Sequence, residues 1–304
     1  MKRFALIPAL LVLLLTLPAR SQDSKNPAGT DITFVSIPGG TFEMGDVEHS
    51  GESNETPVHS VALNGFEMSV YEITNEQYAA YLNAAKVSEA ITATSSSATG
   101  ASGEYGNREF IYLSGQYPSY PYARCWITYS NDMFNVVSGY ENWPVVWVTW
   151  YGAKAFAFYY GLDLPTESEW EYASRGGRQY KYGTDDGTLS MGKANYWGNN
   201  IQHPVPVGSY PANPCGLYDM SGNVWEWCHD YYGTYPRGSV KSPTGAQNGS
   251  FRVMRGSSWS SGDFGGYGVV ADYCRSADRS FYSPADGYYY IGFRVVRRAG
   301  GLEY

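Results

Sequence analysis

The sequence predicts an α+β fold in a single compact domain, low in regular secondary structure. Three observations lead there. Glycine (35 residues) and aromatic residues (16%, with 29 Tyr and 9 Trp) are both abundant in 304 residues, a composition that builds long ordered loops pinned by large rings. Short strand and helix signals, each closed by turn or capping residues, follow one another without an internal repeat. The stretch Gly216-Leu217-Tyr218-Asp219-Met220-Ser221-Gly222-Asn223-Val224-Trp225-Glu226-Trp227 fits neither the helix nor the strand period. A hydrophobic content of 43% is ample for a core. A net charge of −8 argues against nucleic acid or an anionic membrane surface as the partner.

The N-terminus reads as a secretory signal. Lys2 and Arg3 precede an apolar run over 4–18 that is too short to span a membrane, and Ala19-Arg20-Ser21 suits cleavage before Gln22. The expected organisation is a signal peptide over 1–21, a flexible lead-in over 22–33 and a domain over 34–298, secreted or held in the periplasm or at the cell surface, with no membrane span after cleavage. Export permits disulfides. Cys125, Cys215, Cys228 and Cys274 allow three full pairings, and the sequence does not choose among them. No Cys-x-x-Cys occurs and the four histidines are scattered, so zinc is not expected.

Within the domain, 31–44 reads as strand, Pro38-Gly39-Gly40 turn, strand. Residues 57–73 alternate around Asn64-Gly65, a hairpin signal. Thr74 caps a helix and Gln77 completes a capping box, with Tyr78, Tyr81, Leu82 and Ala85 on one apolar face. Residues 88–103, rich in Ser, Thr, Ala and Gly, read as an insertion or mobile loop within 87–140. Thr149 caps a second helix through Ala153, Phe156 and Tyr160, ended by Gly161. Thr166 and Glu169 form another capping box, Trp170, Tyr172 and Ala173 turn inward, and Gly176-Gly177 stops that helix. Its carboxylates Glu167, Glu169 and Glu171 read as a capped, solvated face rather than an acid–base pair. Residues 180–210 read as an Asn- and Gly-rich loop.

In the aperiodic stretch, Gly222 and Asn223 tolerate a left-handed backbone, and Asp219, Asn223 and Glu226 place oxygens close together, which suits calcium. The alternative is a polar turn between two buried aromatic strands.

That stretch, together with Asn142-Trp143-Pro144-Val145, Arg252-Val253-Met254-Arg255-Gly256-Ser257-Ser258-Trp259 and Ile291-Gly292-Phe293-Arg294, resembles the formylglycine-generating-enzyme (sulfatase-modifying factor) family from about residue 34 to 298. The resemblance implies a fold related to C-type lectins. It also implies two structural calcium loops, one over Asn195, Tyr196, Asn199 and Ile201 and one over Asp219, Gly222, Val224 and Glu226, with Gly222 and Val224 ligating through carbonyl oxygens. In the first loop Asn199 falls where the family usually has a carboxylate, and the spacing is shorter. The enzymes of this family oxidise a substrate cysteine with oxygen and copper held by two thiolates, and soft sulfur is what copper(I) requires. Those two positions fall here on Ser261 and near Gly266, so neither copper nor the oxidase activity is expected.

The segment in their place has its own pattern. From 260 to 290 there is no Lys, Glu, Gln, Met or Trp, and every residue can be encoded by a codon ending in cytosine. This is the product expected when the adenines of AAC codons are randomised, and the segment 257–298 resembles the variable region of proteins diversified by retroelements. Tyr, Ser, Gly and Asp are also the composition of binding loops. The candidate ligand-binding residues are Ser260, Ser261, Asp263, Phe264, Tyr267, Asp272, Tyr273, Asp278, Ser280, Phe281, Tyr282, Asp286, Tyr288, Tyr289 and Tyr290. They are expected to face solvent over a buried frame of Trp259, Arg275, Ala277, Arg279, Ile291, Phe293 and Arg294, and to take a protein or cell-surface ligand. The rival readings are a divergent oxidoreductase of the same family and a structural component of a cell-envelope assembly.

Overall fold

A computed structural model describes residues 31–118, 120–261 and 270–300. The expected leader, most of the lead-in, and Asp263, Phe264, Gly266 and Tyr267 lie outside the described residues. Four strands open the domain: β1 (Phe34–Ile37), β2 (Gly40–Met44), β3 (His59–Leu63) and β4 (Phe66–Ser69). They form one antiparallel ribbon in continuous register, from Phe34 opposite Ser69 to Met44 opposite His59. Asn64-Gly65 is therefore not the tip of a hairpin. It lies across from Pro38-Gly39, and the two dipeptides bend the ribbon together. A Cβ on Gly39 would come within 2.8 Å of the Leu63 carbonyl oxygen, so the corner closes only with glycine. The bend lets the halves serve different sheets. β2 and β3 are joined by β11 (Val240–Lys241), and β1 and β4 by β15 (Val296–Arg297).

The three capped helices form where the sequence predicts them: α1 (Asn75–Val87), α2 (Trp150–Tyr159) and α3 (Glu167–Ser174). Thr74, Thr149 and Thr166 each accept a backbone N–H of the first turn, and Gln77 and Glu169 complete the two boxes. Tyr78, Tyr81, Leu82 and Ala85 are buried, and Tyr78 meets Phe156 of α2 and Phe293 ring to ring. On α3 Trp170 and Ala173 are buried, while Tyr172 stays half-exposed against Phe42.

The Ser/Thr-rich stretch departs from expectation. It folds as a three-stranded antiparallel sheet of β5 (Ile91–Ala93), β6 (Ser97–Gly100) and β7 (Glu109–Tyr112). Its buried Ile91, Ala98 and Ile111 join the core around α1. Small hydroxyl residues resemble a loop in composition, but alternate ones occupy a pleat whose inner face is apolar. A hairpin of β8 (Ile127–Ser130) and β9 (Met133–Val136) follows, turned by Asn131 and Asp132, both with positive φ.

The last sheet runs β13 (Ser280–Tyr282), β12 (Arg252–Arg255), β10 (Trp225–Tyr231), β14 (Ile291–Gly292), antiparallel except for the β10–β14 pair. Among the described residues no helix is long and apolar enough to cross a membrane.

Candidate functional site

The C-terminal segment is fastened by arginines. Arg255 donates to the carbonyl oxygens of Ser276, Ala277 and Asp278 and reaches Glu171 at 2.5 Å. Arg275 makes a bidentate pair with Glu55, both bonds 2.6 Å. Arg279 makes another with Glu167, at 2.8 and 2.6 Å, and also donates to the carbonyls of Asn54 and Gly233. The α3 carboxylates are thus not a solvated face. All three are buried, and Glu169 pairs with Arg298. Paired, planar guanidinium–carboxylate bonds fix both position and orientation, so this backbone is held independently of the side chains between the clamps. The predicted frame residues Trp259, Arg275, Ala277, Arg279, Ile291, Phe293 and Arg294 are all buried.

Between the clamps lies a cleft of about 350 Å³. Of the candidate ligand-binding residues it gathers Ser261, Tyr273, Asp278, Ser280, Phe281, Tyr282 and Tyr290. Phe281 is 40% exposed and stacks toward Tyr232 and Phe251, extending the aromatic surface beyond the rim. Tyr288 continues it on the other side, 4.8 Å from the Tyr282 ring and 5.5 Å from that of Tyr290. Asp272 and Asp286 are half-buried and do not line the cleft. Five candidates are buried instead of facing solvent: Ser260, Ser261, Asp278, Tyr289 and Tyr290. Tyr289 packs between Tyr117, Tyr120 and Trp259 in the core. Asp278 sits beneath the clamps, where burial pushes its pKa well up. Tyr290 forms the floor of the cleft. The sequence reading missed Glu52, Asn54, Trp225 and Met254, which complete the walls. Glu52 and Asn54 come from the loop after β2, brought in by the Glu55–Arg275 pair, and no local pattern announces that contact.

Ser260 and Ser261 are drawn inward by a knot of hydroxyls. Ser257 Oγ donates to Ser261 Oγ at 2.9 Å, the Ser258 N–H donates to the same oxygen at 2.9 Å, and Ser258 and Ser260 share a further bond. Cys274 is buried nearby, its thiol pushed up to about 12 by desolvation, and so stays protonated at neutral pH. All four cysteines are free thiols.

The aperiodic stretch turns as expected, with positive φ at Gly222 and Asn223 and also at Asp219. The two expected calcium loops touch, because the Asn223 N–H donates to the Asn195 carbonyl at 2.7 Å and Asn195 Nδ2 to Asn223 Oδ1. The Oδ1 atoms of Asn195, Asn199 and Asp219 are buried without a hydrogen-bond partner. Tyr196 and Ile201 are half-buried alongside. Glu226 is committed elsewhere. Arg294 binds both its oxygens, at 2.6 and 2.8 Å, and the Trp170 indole donates to one of them at 2.8 Å. Behind the turn Glu72, another residue the sequence reading missed, accepts from Asn223 Nδ2 and the Val224 N–H.

A sequence-family profile described as the sulfatase-modifying factor enzyme 1-like domain matches residues 20–299. The chain belongs to this family. A formylglycine-generating enzyme of Streptomyces coelicolor is 33% identical over 87% of this chain and 89% of its own length. The family also holds an inactive Cα-formylglycine-generating enzyme 2 from Bos taurus, 28% identical over 90% of each chain. A serine/threonine-protein kinase pkn1 from Chlamydia caviae is 34% identical over 91% of this chain, which spans only 40% of that relative's length. Among solved structures, Treponema denticola variable protein 1 superposes with a TM-score of 0.62 at 24% identity, covering 89% of this chain and 96% of its own. It shares the fold.

Measured against the family's chemistry, the copper site does not fit this chain. A hydroxyl already bonded to two partners stands at Ser261, glycine stands at 266, and neither supplies the soft sulfur that copper(I) needs. The calcium loops fit in part. The orphaned oxygens of Asn195, Asn199 and Asp219 suit a hard cation. Glu226 does not, because the Arg294 guanidinium occupies the carboxylate and would repel a cation beside it.

Proposed function

We propose that the protein is a ligand-binding member of its family, in which the copper oxidase chemistry is lost and segment 257–298 displays a diversified surface toward a protein or cell-surface ligand. One observation carries this reading. Within a single stretch of sequence, the residues of the expected frame are buried and clamped, while Tyr273, Ser280, Phe281 and Tyr282 keep exposed surface around one cleft and Tyr288 adjoins Tyr282. Aromatic side chains on a rigid backbone contribute large contact area at low entropic cost, which is what a variable binding surface requires. The expected leader fits delivery of such a surface to the cell exterior.

The gene neighbourhood tests the diversification directly. A second, near-identical copy of the codons for 257–298, with adenines at the variable positions, should lie beside a reverse transcriptase gene. Isolates should then differ at the candidate positions and agree at Trp259, Arg275, Arg279 and Phe293. A neighbourhood without the copy, or variation falling equally on the frame, sinks the diversified reading.

Loss of the oxidase is tested separately. Purified protein incubated with copper, oxygen and a cysteine peptide of the sulfatase type should form no formylglycine above background, measured by mass spectrometry. Turnover would return the protein to the enzymes of its family.

A calcium ion held by the side-chain oxygens of Asn195, Asn199 and Asp219 would satisfy three buried acceptors at once. A ligand bound only to the native state stabilises it by mass action, by about 2.7 kcal/mol at a hundredfold excess over Kd. Chelation should therefore lower the melting temperature, calcium should restore it, and metal analysis of the untreated protein should find calcium. Protein that contains no calcium and melts alike with and without it would rule the ion out.

A further inference from the structure

A second pocket, of about 710 Å³, opens beside α2 and β10 and shares no lining residue with the C-terminal cleft. Its walls include Trp150, Lys154 and Phe158 from α2, His229 and Tyr231 from β10, and Arg252 from β12. Arg252 is the unusual member. Arg175, Arg255, Arg275, Arg279, Arg294 and Arg298 are likewise withdrawn from solvent, and each makes an ion pair with a glutamate. Arg252 makes none among the described residues. Its guanidinium is sandwiched between the rings of Trp150 at 3.7 Å and Tyr231 at 3.4 Å. Nη1 donates to the His229 carbonyl at 2.5 Å, and Nε is buried without a partner.

The surrounding charges do not supply the missing anion. Asp163 is shared by Lys154 and Arg298, and Glu169 is bound to Arg298. Asp230 acts on Arg252 electrostatically but makes no ion pair with it, and burial raises the Asp230 pKa. Glu104 stands exposed at the rim. Among the groups withdrawn from solvent, Lys154, Arg252 and Arg298 thus meet only Asp163 and Glu169, one carboxylate fewer than the cations. A partly desolvated, unpaired guanidinium is costly unless an anion meets it. Part of the lining is apolar. Phe158 is 77% exposed at the mouth and Leu162 lies beside it, surface that water solvates poorly. The volume falls in the range of small-molecule sites.

We infer that this pocket binds a small organic oxyanion, a carboxylate or a phosphate or sulfate ester, with its charged oxygens on Arg252 and its apolar body against Trp150, Phe158 and Leu162. The aromatic sandwich orients the guanidinium edge, and planar donor geometry suits two oxygens of one group. The inference is independent of the C-terminal cleft and of the ligand displayed there.

Titration of the purified protein with benzoate, phenyl phosphate, phenyl sulfate, inorganic phosphate and uncharged phenol tests it, read by calorimetry and by the ¹⁵N resonances of Arg252 Nε–H and the Trp150 indole. At least one aromatic anion should bind saturably and shift both resonances. Inorganic phosphate should bind more weakly, phenol should not bind, and the preferred aromatic anion identifies the oxyanion. Arg252→Gln should weaken binding at least about tenfold, and Phe158→Ser should weaken the aromatic anions while leaving inorganic phosphate unchanged. No saturable binding of any anion up to about 10 mM, equal binding of phenol, or an Arg252 resonance that stays still while a probe binds would each overturn the proposal. The resonance readout uses the unaltered protein, so it decides even if Arg252→Gln fails to fold.

Discussion

Glu171→Ala should lower stability by about 3–5 kcal/mol, the cost of removing one partner from a buried ion pair. Glu171 is fully buried, and its two oxygens serve three donors: Arg175 Nε at 2.9 Å, Arg255 Nη2 at 2.5 Å and the Gly45 N–H at 2.9 Å. Alanine leaves two guanidinium groups in a low-dielectric interior with one fewer carboxylate, and Arg255 is itself what holds residues 276–278. Urea denaturation should show a large drop in midpoint. Glu171→Gln, which keeps an acceptor of the same shape, should recover part of it. A midpoint unchanged in the alanine variant would mean that the carbonyls of 276–278 alone satisfy Arg255.

Asp230→Asn should stabilise the protein at alkaline pH, by about 3–5 kcal/mol at pH 8. Burial, reinforced by the charge of Glu167, raises the Asp230 pKa from 3.8 to about 8. The sign follows from linkage. The unfolded chain releases this proton near pH 4 while the folded chain keeps it until about pH 8, so stability is full below pH 4 and declines as pH rises through that window. Asparagine cannot ionise and removes the decline. It also keeps an acceptor for the Glu167 N–H, which Asp230 now receives at 2.9 Å. In calcium-free protein Asp219, pushed up to about 6 mainly by burial, adds a smaller loss of the same sign between pH 4 and 6 that the variant retains. Melting curves from pH 4 to 8 for both proteins check this, and parallel curves would show that Asp230 ionises normally.

The parts of the fold legible in the sequence were those set by neighbours along the chain. The capping boxes at Thr74–Gln77 and Thr166–Glu169 fix helix starts with atoms three residues apart, and Gly222-Asn223 declares its backbone by residue type. The identity of the buried frame was legible because arginines and aromatics recur within family motifs. What failed depends on distant partners. Asn64-Gly65 has the chemistry of a hairpin turn, yet Pro38-Gly39 opposite makes it a corner. Glu167 and Glu171 look like a wet helix face until Arg279 and Arg255 arrive from about a hundred residues away. Composition alone misread 88–103 for the same reason, since the apolar face that orders it belongs to α1. At the cleft, residue type and resemblance singled out Tyr273, Phe281 and Tyr282, which line it, but not the depth of each side chain, and so put Ser260, Ser261, Asp278, Tyr289 and Tyr290 at the surface when they are buried.

The order of strands also governs when the molecule can form. β4 sits between β1 and β15, so the sheet begun at Phe34 is completed only by Val296 and Arg297. The loop after β2 is locked to Arg275 across 220 residues of sequence, and Arg294 reaches back to the carbonyl of Ser69. A ribosome must therefore release nearly the whole domain before β4 and the loop after β2 meet their C-terminal partners. Until then the β4 edge that takes β15 stays unpaired; distant contacts of this kind slow folding, and an unpaired edge invites aggregation.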